Sequence, residues 1–430
     1  MEEPVASGES SNVAALQQML AEELKSKGYL IAPEVEAAFR SVPRHLFLPS
    51  IAPEEAYHNK VIHIKTQDDV VVSTSSEPTI MAIMLEQLQL EPGQSVLEIG
   101  AGSGYNAALM AYIVGEEGSV VTVDIDEDLV RDARAHLATA GFERVQVVCG
   151  DGGLGYPAAV PYDRIILTAR AWDIAPAWYA QLRPGGRLLL PLTILPRALG
   201  GPQVSVVFEK TGDHLTSTSI KVCRFLHLRG SFAAPDARVF LSPEHDLWLT
   251  IEERALVDAE ATYRLLHSPY QDIATGLRVT HRDIWHCSLW LSLHESGFCN
   301  LITMRRAQEQ GEPFFPPLFS TPGKSSGTLG LLGPAGLCLF TCPLDHAYTM
   351  GEPVNDLPFD LSIRSFGTND TLAQHLIEQI HAWQASGQPP AQPFPGGLSI
   401  RAYPLQSAYL PAVQEIVILK RWTRLVLDWQ

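Results

Sequence analysis

Three glycines at alternate positions, Gly100, Gly102 and Gly104, cut through the apolar run VLEIGAGSGYNAALMA at residues 96–111. Glycine lets a backbone approach a ligand without interference from a Cβ. A strand, a glycine turn and a helix in that order form a place where a cofactor can sit. Alternate glycines also suit a plain tight turn, so the reading depends on what the rest of the chain supplies. Asp124 closes an apolar strand roughly 20 positions past the glycines, where a carboxylate can accept hydrogen bonds from ribose hydroxyls. Asp126, Glu127 and Asp128 follow, so the choice of Asp124 rests on its strand position. Asp151, with Gly152 behind it, ends the next strand, where an adenine amino group could bind. Upstream, Ser73, Thr74, Ser75 and Ser76 precede Glu77, Pro78 and an amphipathic helix. Ser75 or Ser76 is placed to cap that helix. The same hydroxyls and helix start are also suited to face a ligand carboxylate. Farther on, TARAWDI puts Arg170 and Trp172 at the expected mouth of the site. A guanidinium there could hold a carboxylate in bidentate fashion, a solvated surface arginine being the alternative.

These residues need a scaffold, and the pattern provides one. Val96, Leu97 and Ile99 read as a strand buried on both faces. Further apolar strands follow at residues 119–123 (SVVTV), 145–148 (VQVV), 163–168 (DRIILT) and 182–192 (LRPGGRLLLPL), with a helix predicted over 127–140. The alternation predicts a doubly wound α/β sheet with its site at the carboxyl ends of the strands. Before it, Val13, Leu16, Leu20 and Leu24 mark a helix over 13–27 that Gly28 stops, and a second helix runs over 33–42. Two prolines bracket VPRHLFLP at 42–49 and predict an irregular, extended path. Ile62 and Ile64 predict a short strand before a turn at Asp68 and Asp69.

With 430 residues, the chain is too long for one core and implies two domains. A formal charge of −17 argues against nucleic acid as a partner. No stretch approaches the roughly 20 apolar residues that span a bilayer, so no membrane role is expected. The acidic start MEEPVASGES does not read as a signal peptide, and residues 1–12 are expected to be a disordered lead. Six scattered cysteines suggest reduced thiols and a cytoplasmic location. Cys338, Cys342 and His346 have helical spacing, but their setting GLCLFTCP reads as a strand ending at Pro343, so no metal site is assigned.

Taken in order, VPRHLFLP, STSSEP, VLEIGAGSGY, VTVDID, GDGGLGYP, PYDRIILTA, LRPGGRLLLP and GPQVSVVFEK make residues 13–230 resemble the protein-L-isoaspartate O-methyltransferases. The resemblance implies a Rossmann-like fold, S-adenosyl-L-methionine as methyl donor, no metal, a cytosolic location, and a peptide or protein substrate bearing an altered aspartyl (Asp or isoAsp) carboxylate. It assigns Gly100, Gly102 and Gly104 to the cofactor's amino acid portion, with Glu98 just before them. Asp124 then matches the ribose-binding acid, Asp151 with Gly152 the adenine contact, and Ser76 the active-site serine of a Ser-x-Pro signature. Glu77 occupies x, where the family often has a small or amide residue. Arg170 and Trp172 also depart from the small residues usual there, and with Ser75 they are candidates for holding the acceptor. An ionised carboxylate needs no deprotonation to accept a methyl group, so no Ser-His-Asp or Cys-His relay is required. Ser76 is then expected to position the substrate and not to attack it.

Residues 231–430 lie past the usual end of a repair enzyme and are expected to form a C-terminal α+β domain for substrate recognition or an accessory role. The predicted pieces are a helix over 247–267, an apolar aromatic segment over 280–294, and two strands over 328–343 about a turn at Gly333 and Pro334. A strand over 359–364, a helix over 370–386, a loop over 387–397 and strands over 398–403 and 416–427 follow. His281, His286, His294, Trp285 and Trp290 read as core residues and not as a ligand set. The two-domain layout resembles family members that methylate a chosen Asp of ribosomally made peptides. General isoaspartyl repair, and a cofactor-binding regulator without turnover, stay open beside that role. The number of subunits is not legible.

Overall fold

The computed structural model describes residues 6–430 apart from 68–69, 195–202, 243–245, 252, 310–311, 313–314, 350–356, 368–369, 386–397, 413–414 and 430. The chain divides into two compact units. The first holds Met1–Leu192, Gln203–Ala234 and Gly397–Gln430, and the second Thr193–Pro202 and Pro235–Gly396. The expected turn at Asp68 and Asp69 and the loop over 387–397 lie largely or wholly outside the described residues.

In the first unit, α1 (Ala6–Ser26) packs on α2 (Pro33–Ser41), and Gln17 ties them by donating to the carbonyls of Phe39 and Val42 at 3.0 and 2.9 Å. Because α1 starts at Ala6, part of the expected disordered lead is helical. Arg44–Phe47 is one 3-10 turn where an extended path was predicted, followed by the short α3 (Pro53–Ala56). An antiparallel hairpin comes next, β1 (Ile62–Gln67) and β2 (Val70–Ser75), and leads to α4 (Pro78–Leu88).

The doubly wound core then runs with its strands and α5 and α6 where expected, and with α7 in addition: β3 (Ser95–Ile99), α5 (Tyr105–Val114), β4 (Ser119–Asp124), α6 (Glu127–Thr139), β5 (Gln146–Cys149), β6 (Tyr162–Leu167), α7 (Pro176–Gln181) and β7 (Leu182–Thr193). Helix α5 is buried nearly all round, as its uniform apolarity demands. Strand order in this parallel portion is β7-β6-β3-β4-β5. The chain therefore winds outward from β3 to β5 and then returns to the other side of β3. Between β3 and β6 the loops leave in opposite directions and open a crevice at the carboxyl ends, the usual ligand position in such sheets. Two long strands, β8 (Gln203–Thr211) and β9 (His214–Cys223), extend the sheet antiparallel.

The second unit is an antiparallel sheet of β10 (Arg238–Phe240), β11 (Leu247–Ile251), β12 (Tyr270–Val279), β13 (Phe298–Met304), β14 (Phe319–Thr321), β15 (Ser325–Gly333), β16 (Gly336–Thr341), β17 (Tyr348–Thr349) and β18 (Phe359–Gly367), apart from a parallel β14–β17 pair. Helix α8 (Ala259–Leu266) covers one face. The other face carries α9 (His281–His294) and α11 (Thr371–Ala385), with the short α10 (Arg305–Glu309) after β13. The helix predicted over 247–267 is instead a strand followed by a helix, because β11 must alternate its burial to join the sheet beside β13. The aromatic segment over 280–294 is a helix fixed by a capping box of Thr280 and Asp283. His281 bonds the His346 carbonyl at 2.5 Å and His294 the Trp290 carbonyl at 2.8 Å, while the Trp285 side chain lies outside the described set. The Cys338 thiol meets Ser365 Oγ at 3.6 Å and Cys342 the Pro317 carbonyl at 3.3 Å, so the two face different neighbours.

After that unit the chain re-enters the first one. Strand β19 (Leu398–Pro404) pairs with β9, and the stretch predicted as one strand over 416–427 is a hairpin, β20 (Ile416–Leu419) and β21 (Thr423–Trp429). The full sheet order is β20-β21-β19-β9-β8-β7-β6-β3-β4-β5. A boundary at residue 230 therefore misplaces the last strands: the second unit is inserted, and 397–430 complete the first. The physical cause is an open edge on β9, whose backbone donors and acceptors β19 satisfies. Among the described residues no helix is long and apolar enough to cross a membrane. Leu425 is fully buried in β21. Leu425→Ala is expected to cost about 2–5 kcal/mol, seen as a lower urea midpoint for the first unit; an unchanged midpoint would mean that these strands do not belong to its core.

Candidate active site

The glycine turn owes its shape to three left-handed residues, Gly100 (φ 105°), Gly102 (φ 52°) and Gly104 (φ 88°). At Gly100 a Cβ would collide with the Thr168 hydroxyl, which donates to the Gly100 carbonyl at 2.7 Å. The Gly102 N–H donates to Asp124 Oδ2 at 3.1 Å, and Asp126 N–H to Asp124 Oδ1 at 3.2 Å. Burial pushes the Asp124 carboxyl up, with those two bonds holding it down. Asp124 thus shapes the turn while standing at the tip of β4. Asp151 sits at the start of the next turn, accepting from Gly153 N–H at 3.0 Å and from Ser231 N–H at 2.8 Å. Gly152 is packed so closely that a Cβ would strike Ile99, and its carbonyl accepts from Trp178 Nε1 at 2.9 Å. Ile125, between the two acidic tips, keeps 38% of its surface exposed.

Glu98 lies beneath the turn and not on it. Its side chain is fully buried, with Oε1 accepting from Asn106 Nδ2 and Oε2 from Thr122 Oγ1, both at 2.7 Å. Burial raises its carboxyl to about 7 despite those bonds. The geometry makes it a brace joining β3, β4 and α5.

The facing side of the crevice comes from the β1–β2 hairpin and the exit of β6. A Cβ at Gly102 would lie 3.7 Å from the Thr74 carbonyl and 3.9 Å from Ser73 Oγ, so the hydroxyl-rich strand backs directly onto the glycine turn. The expected cap is corrected here: the N-cap of α4 is Glu77, without a side-chain cap bond, and neither serine caps the helix. Pro78 at the first helical position carries no N–H, which lowers the need for one. Ser75 is buried at 5% exposure opposite Ile62 in the hairpin, whereas Ser76 is half-buried and its hydroxyl has no hydrogen-bond partner among the described residues. Beyond β6, Arg170 pairs through its backbone with Leu226 and Leu228, and its Nη2 meets His227 Nδ1 at 2.9 Å. Burial and nearby Arg224 pull the Arg170 guanidinium down to about 10. Arg170 Nε and Trp172 Nε1 are buried donors without a partner among the described residues.

Two positioning groups were not legible in the sequence. Arg44, from VPRHLFLP, is wholly buried and donates to the carbonyls of Ala56 at 2.9 Å and Ser76 at 3.1 Å. Its guanidinium also lies 5.1 Å from the centre of the Tyr105 ring, the first residue of α5. One cation therefore spans the Ser76 segment and the helix that follows the glycine turn. Asp126 is the second, held by Arg229 and, at 3.4 Å, by Lys65 of the hairpin. Those ion pairs hold Asp126 below the usual carboxylate range and draw the hairpin and residues 227–231 over the strand ends. A buried arginine without a carboxylate partner has no sequence signature; the basic partners of the Asp126–Asp128 run could have been anticipated from charge alone.

Arg44→Met leaves two buried carbonyls without donors, a loss of about 1–3 kcal/mol each. Turnover is expected to fall by at least about tenfold with cofactor affinity nearly kept; an unchanged turnover number, measured at saturating cofactor, would remove Arg44 from the site. Glu98 has a second test. A carboxyl whose folded pKa is raised stabilises the fold below its unfolded value near 4.3 and loses that contribution as pH rises through about 7. Glu98→Gln should therefore gain in Tm relative to the parent between pH 5 and pH 8, and parallel Tm profiles would contradict a buried, titrating Glu98.

The family model for protein-L-isoaspartate (D-aspartate) O-methyltransferase matches residues 15–232. Similar curated proteins include protein-L-isoaspartate O-methyltransferases from several organisms. The one from Thermotoga maritima is 34% identical over 48% of this chain and 64% of its own length. Its counterpart from Methanopyrus kandleri is 42% identical over 41% and 76%. Archaeoglobus fulgidus contributes a third, 36% identical over 52% of this chain and 96% of its own. A solved protein-L-isoaspartate O-methyltransferase covers 90% of this chain and 96% of its own at 25% identity, with a TM-score of 0.49. Another, from Plasmodium falciparum and in complex with S-adenosyl-L-homocysteine, covers 50% of this chain and 98% of its own at 19% identity and TM-score 0.43. With the glycine turn, the two acidic strand tips and the serine hairpin around one crevice, the chain belongs to the protein-L-isoaspartate O-methyltransferase family of S-adenosylmethionine-dependent carboxyl methyltransferases.

Proposed function

We propose that this chain methylates the carboxylate of an isoaspartyl or altered aspartyl residue in a peptide or protein, with the acceptor held between Ser76 and Arg170. The observation that carries the reading is the meeting of the β1–β2 hairpin with the glycine turn at Gly102, which puts the Ser76 segment beside the donor side of the crevice. The residues present suit S-adenosylmethionine. Three side-chain-free glycines line the turn, Asp124 and Asp151 stand at adjacent strand tips, and the exposed Ile125 between them is an apolar surface for a base. When bound, the cofactor supplies an electrophilic sulfonium methyl group to the acceptor oxygen.

What the chain itself does is bind, orient and exclude water. Substrate carboxylates have free pKa values of about 4, so the acceptor arrives ionised and no proton need be removed. Ser76 Oγ, uncommitted among the described residues, is a hydrogen-bond donor for one carboxylate oxygen or a neighbouring carbonyl. The Arg170 guanidinium, whose Nη2 meets His227 Nδ1 at an exposed position, adds a charged group for the anion. Holding the oxygen in line with the donor carbon is where most of the rate would arise. The six free thiols suit a reducing compartment, so we place the enzyme in the cytoplasm.

Incubation with S-adenosylmethionine and matched linear peptides, one with isoAsp and one with Asp at the same place, tests the reading. Methyl ester on the isoAsp peptide is the expected product; refusal of linear peptides beside methylation of a constrained Asp peptide would instead favour a tailoring role. Ser76→Ala is expected to lower kcat/KM by roughly 10–100-fold, the value of a hydrogen bond to a charged group. Arg170→Ala should raise the acceptor KM, and unchanged KM and kcat would exclude it from acceptor binding.

A further inference from the structure

The match to the family ends at residue 232, yet the chain returns to the same unit almost 170 residues later. The turn of its last hairpin, Lys420, Arg421 and Trp422, lands beside Trp172, two residues past Arg170. Asp173 fixes it there. This carboxylate is 2% exposed and follows Arg170 by three positions. It accepts from Trp422 N–H at 2.7 Å, from the Thr423 hydroxyl, and from its neighbour Ile174 N–H at 2.7 Å. A buried carboxylate with its lone pairs committed to one turn places that turn firmly, since releasing it would leave a charge unsatisfied.

The result is a strip of rings along the carboxyl ends of the strands. Trp172 and Trp422 lie with centroids 6.2 Å apart, and Trp422 and Phe232 with centroids 4.7 Å apart. Phe232 in turn rests on Gly153, where a Cβ would collide with its ring. Cationic groups accompany the strip: the Lys420 ammonium lies 5.4 Å from the Trp172 ring centre, and the exposed Arg421 guanidinium 4.9 Å from that of Trp422. Within a chain of charge −17 this turn is locally basic. Behind the strip, Trp172 Nε1 and Arg170 Nε are buried donors without a partner among the described residues.

We propose that the β20–β21 turn is the outer wall of the acceptor site, with Trp422 packing against the bound peptide and Arg421 selecting peptides that carry acidic residues beside the methylated one. The proposal rests on the reading of the crevice as a carboxyl methyltransferase site. Neither residue touches the reacting carboxylate in this account; they determine which chain is held.

The test uses the full chain, two isoaspartyl peptides that differ only in acidic or neutral flanking residues, and two variants, Trp422→Ala and Arg421→Glu. Calorimetric titration of each peptide in the presence of S-adenosylhomocysteine is run beside steady-state kinetics. Parent enzyme is expected to prefer the acidic peptide. Trp422→Ala should weaken binding of both peptides by at least about tenfold, with S-adenosylhomocysteine affinity within about twofold. Arg421→Glu, at an exposed position and therefore harmless to folding, should erase or invert the preference between the two peptides. Equal binding of both peptides by parent and Arg421→Glu, or peptide affinity untouched by Trp422→Ala, overturns the hairpin proposal even if turnover is normal. Peptide binding that responds to both variants without any turnover would uphold the hairpin while refuting the methyltransferase reading. Absence of both binding and turnover would refute the two together.

Discussion

Everything in the first unit depends on one backbone constraint: a turn of three left-handed glycines held between the Asp124 carboxylate and the Thr168 hydroxyl. No L-residue with a Cβ adopts such a turn without strain, and at Gly100 there is also no space for one. The turn points into the crevice because strand order reverses between β3 and β6. Thr168, at the exit of β6, and Gly100, at the exit of β3, are neighbours only for that reason. The glycine turn and the segment leaving β6 are thus coupled through a single hydroxyl.

Around that turn, charge is arranged to close the site and not merely to solubilise it. Asp126 draws Lys65 from the hairpin on one side and Arg229 from the strand-crossing segment on the other. Such partly exposed pairs contribute modestly to stability, about 0–1 kcal/mol each. Their value lies in direction, since each ties a separate segment to the same strand tip. Arg44 acts from inside, where a buried cation satisfied by carbonyls and an aromatic face orders the Ser76 backbone against α5. Asp173 does the equivalent for the terminal hairpin. Buried polar groups of this kind add little net stability and specify one arrangement, because any other leaves them unpaired.

Much of this was legible in advance where a local rule had one solution. Apolar runs followed by an acid or glycine identified β3 to β7, and Gly100, Gly102 and Gly104 announced a turn needing positive φ. Asp124 and Asp151 could be placed because strand ends are recognisable from composition. The serines were misread as caps since cap preference is a local average, and here Pro78 left Glu77 to occupy the N-cap without a side-chain bond. Glu98 was readable as the residue just before the glycine loop, and only the pleat of β3 directs its side chain inward to Asn106 and Thr122. The stretch over 247–267 carries an apolar pattern that two periods can fit, and only pairing with β13 selected a strand for its first part.

The sequence by itself determined the order of strands from β3 to β7, the glycine turn and the chemistry of its acidic neighbours, because each follows from contacts within a few residues or from one strand's periodicity. Tertiary structure alone decided that residues 397–430 belong with the first unit, that Arg44 reaches Ser76, and that Trp422 stands beside Trp172. Those contacts join positions tens to hundreds of residues apart. They are set by which sheet edge is open and which buried polar atom lacks a partner, and neither exists until the chain has folded.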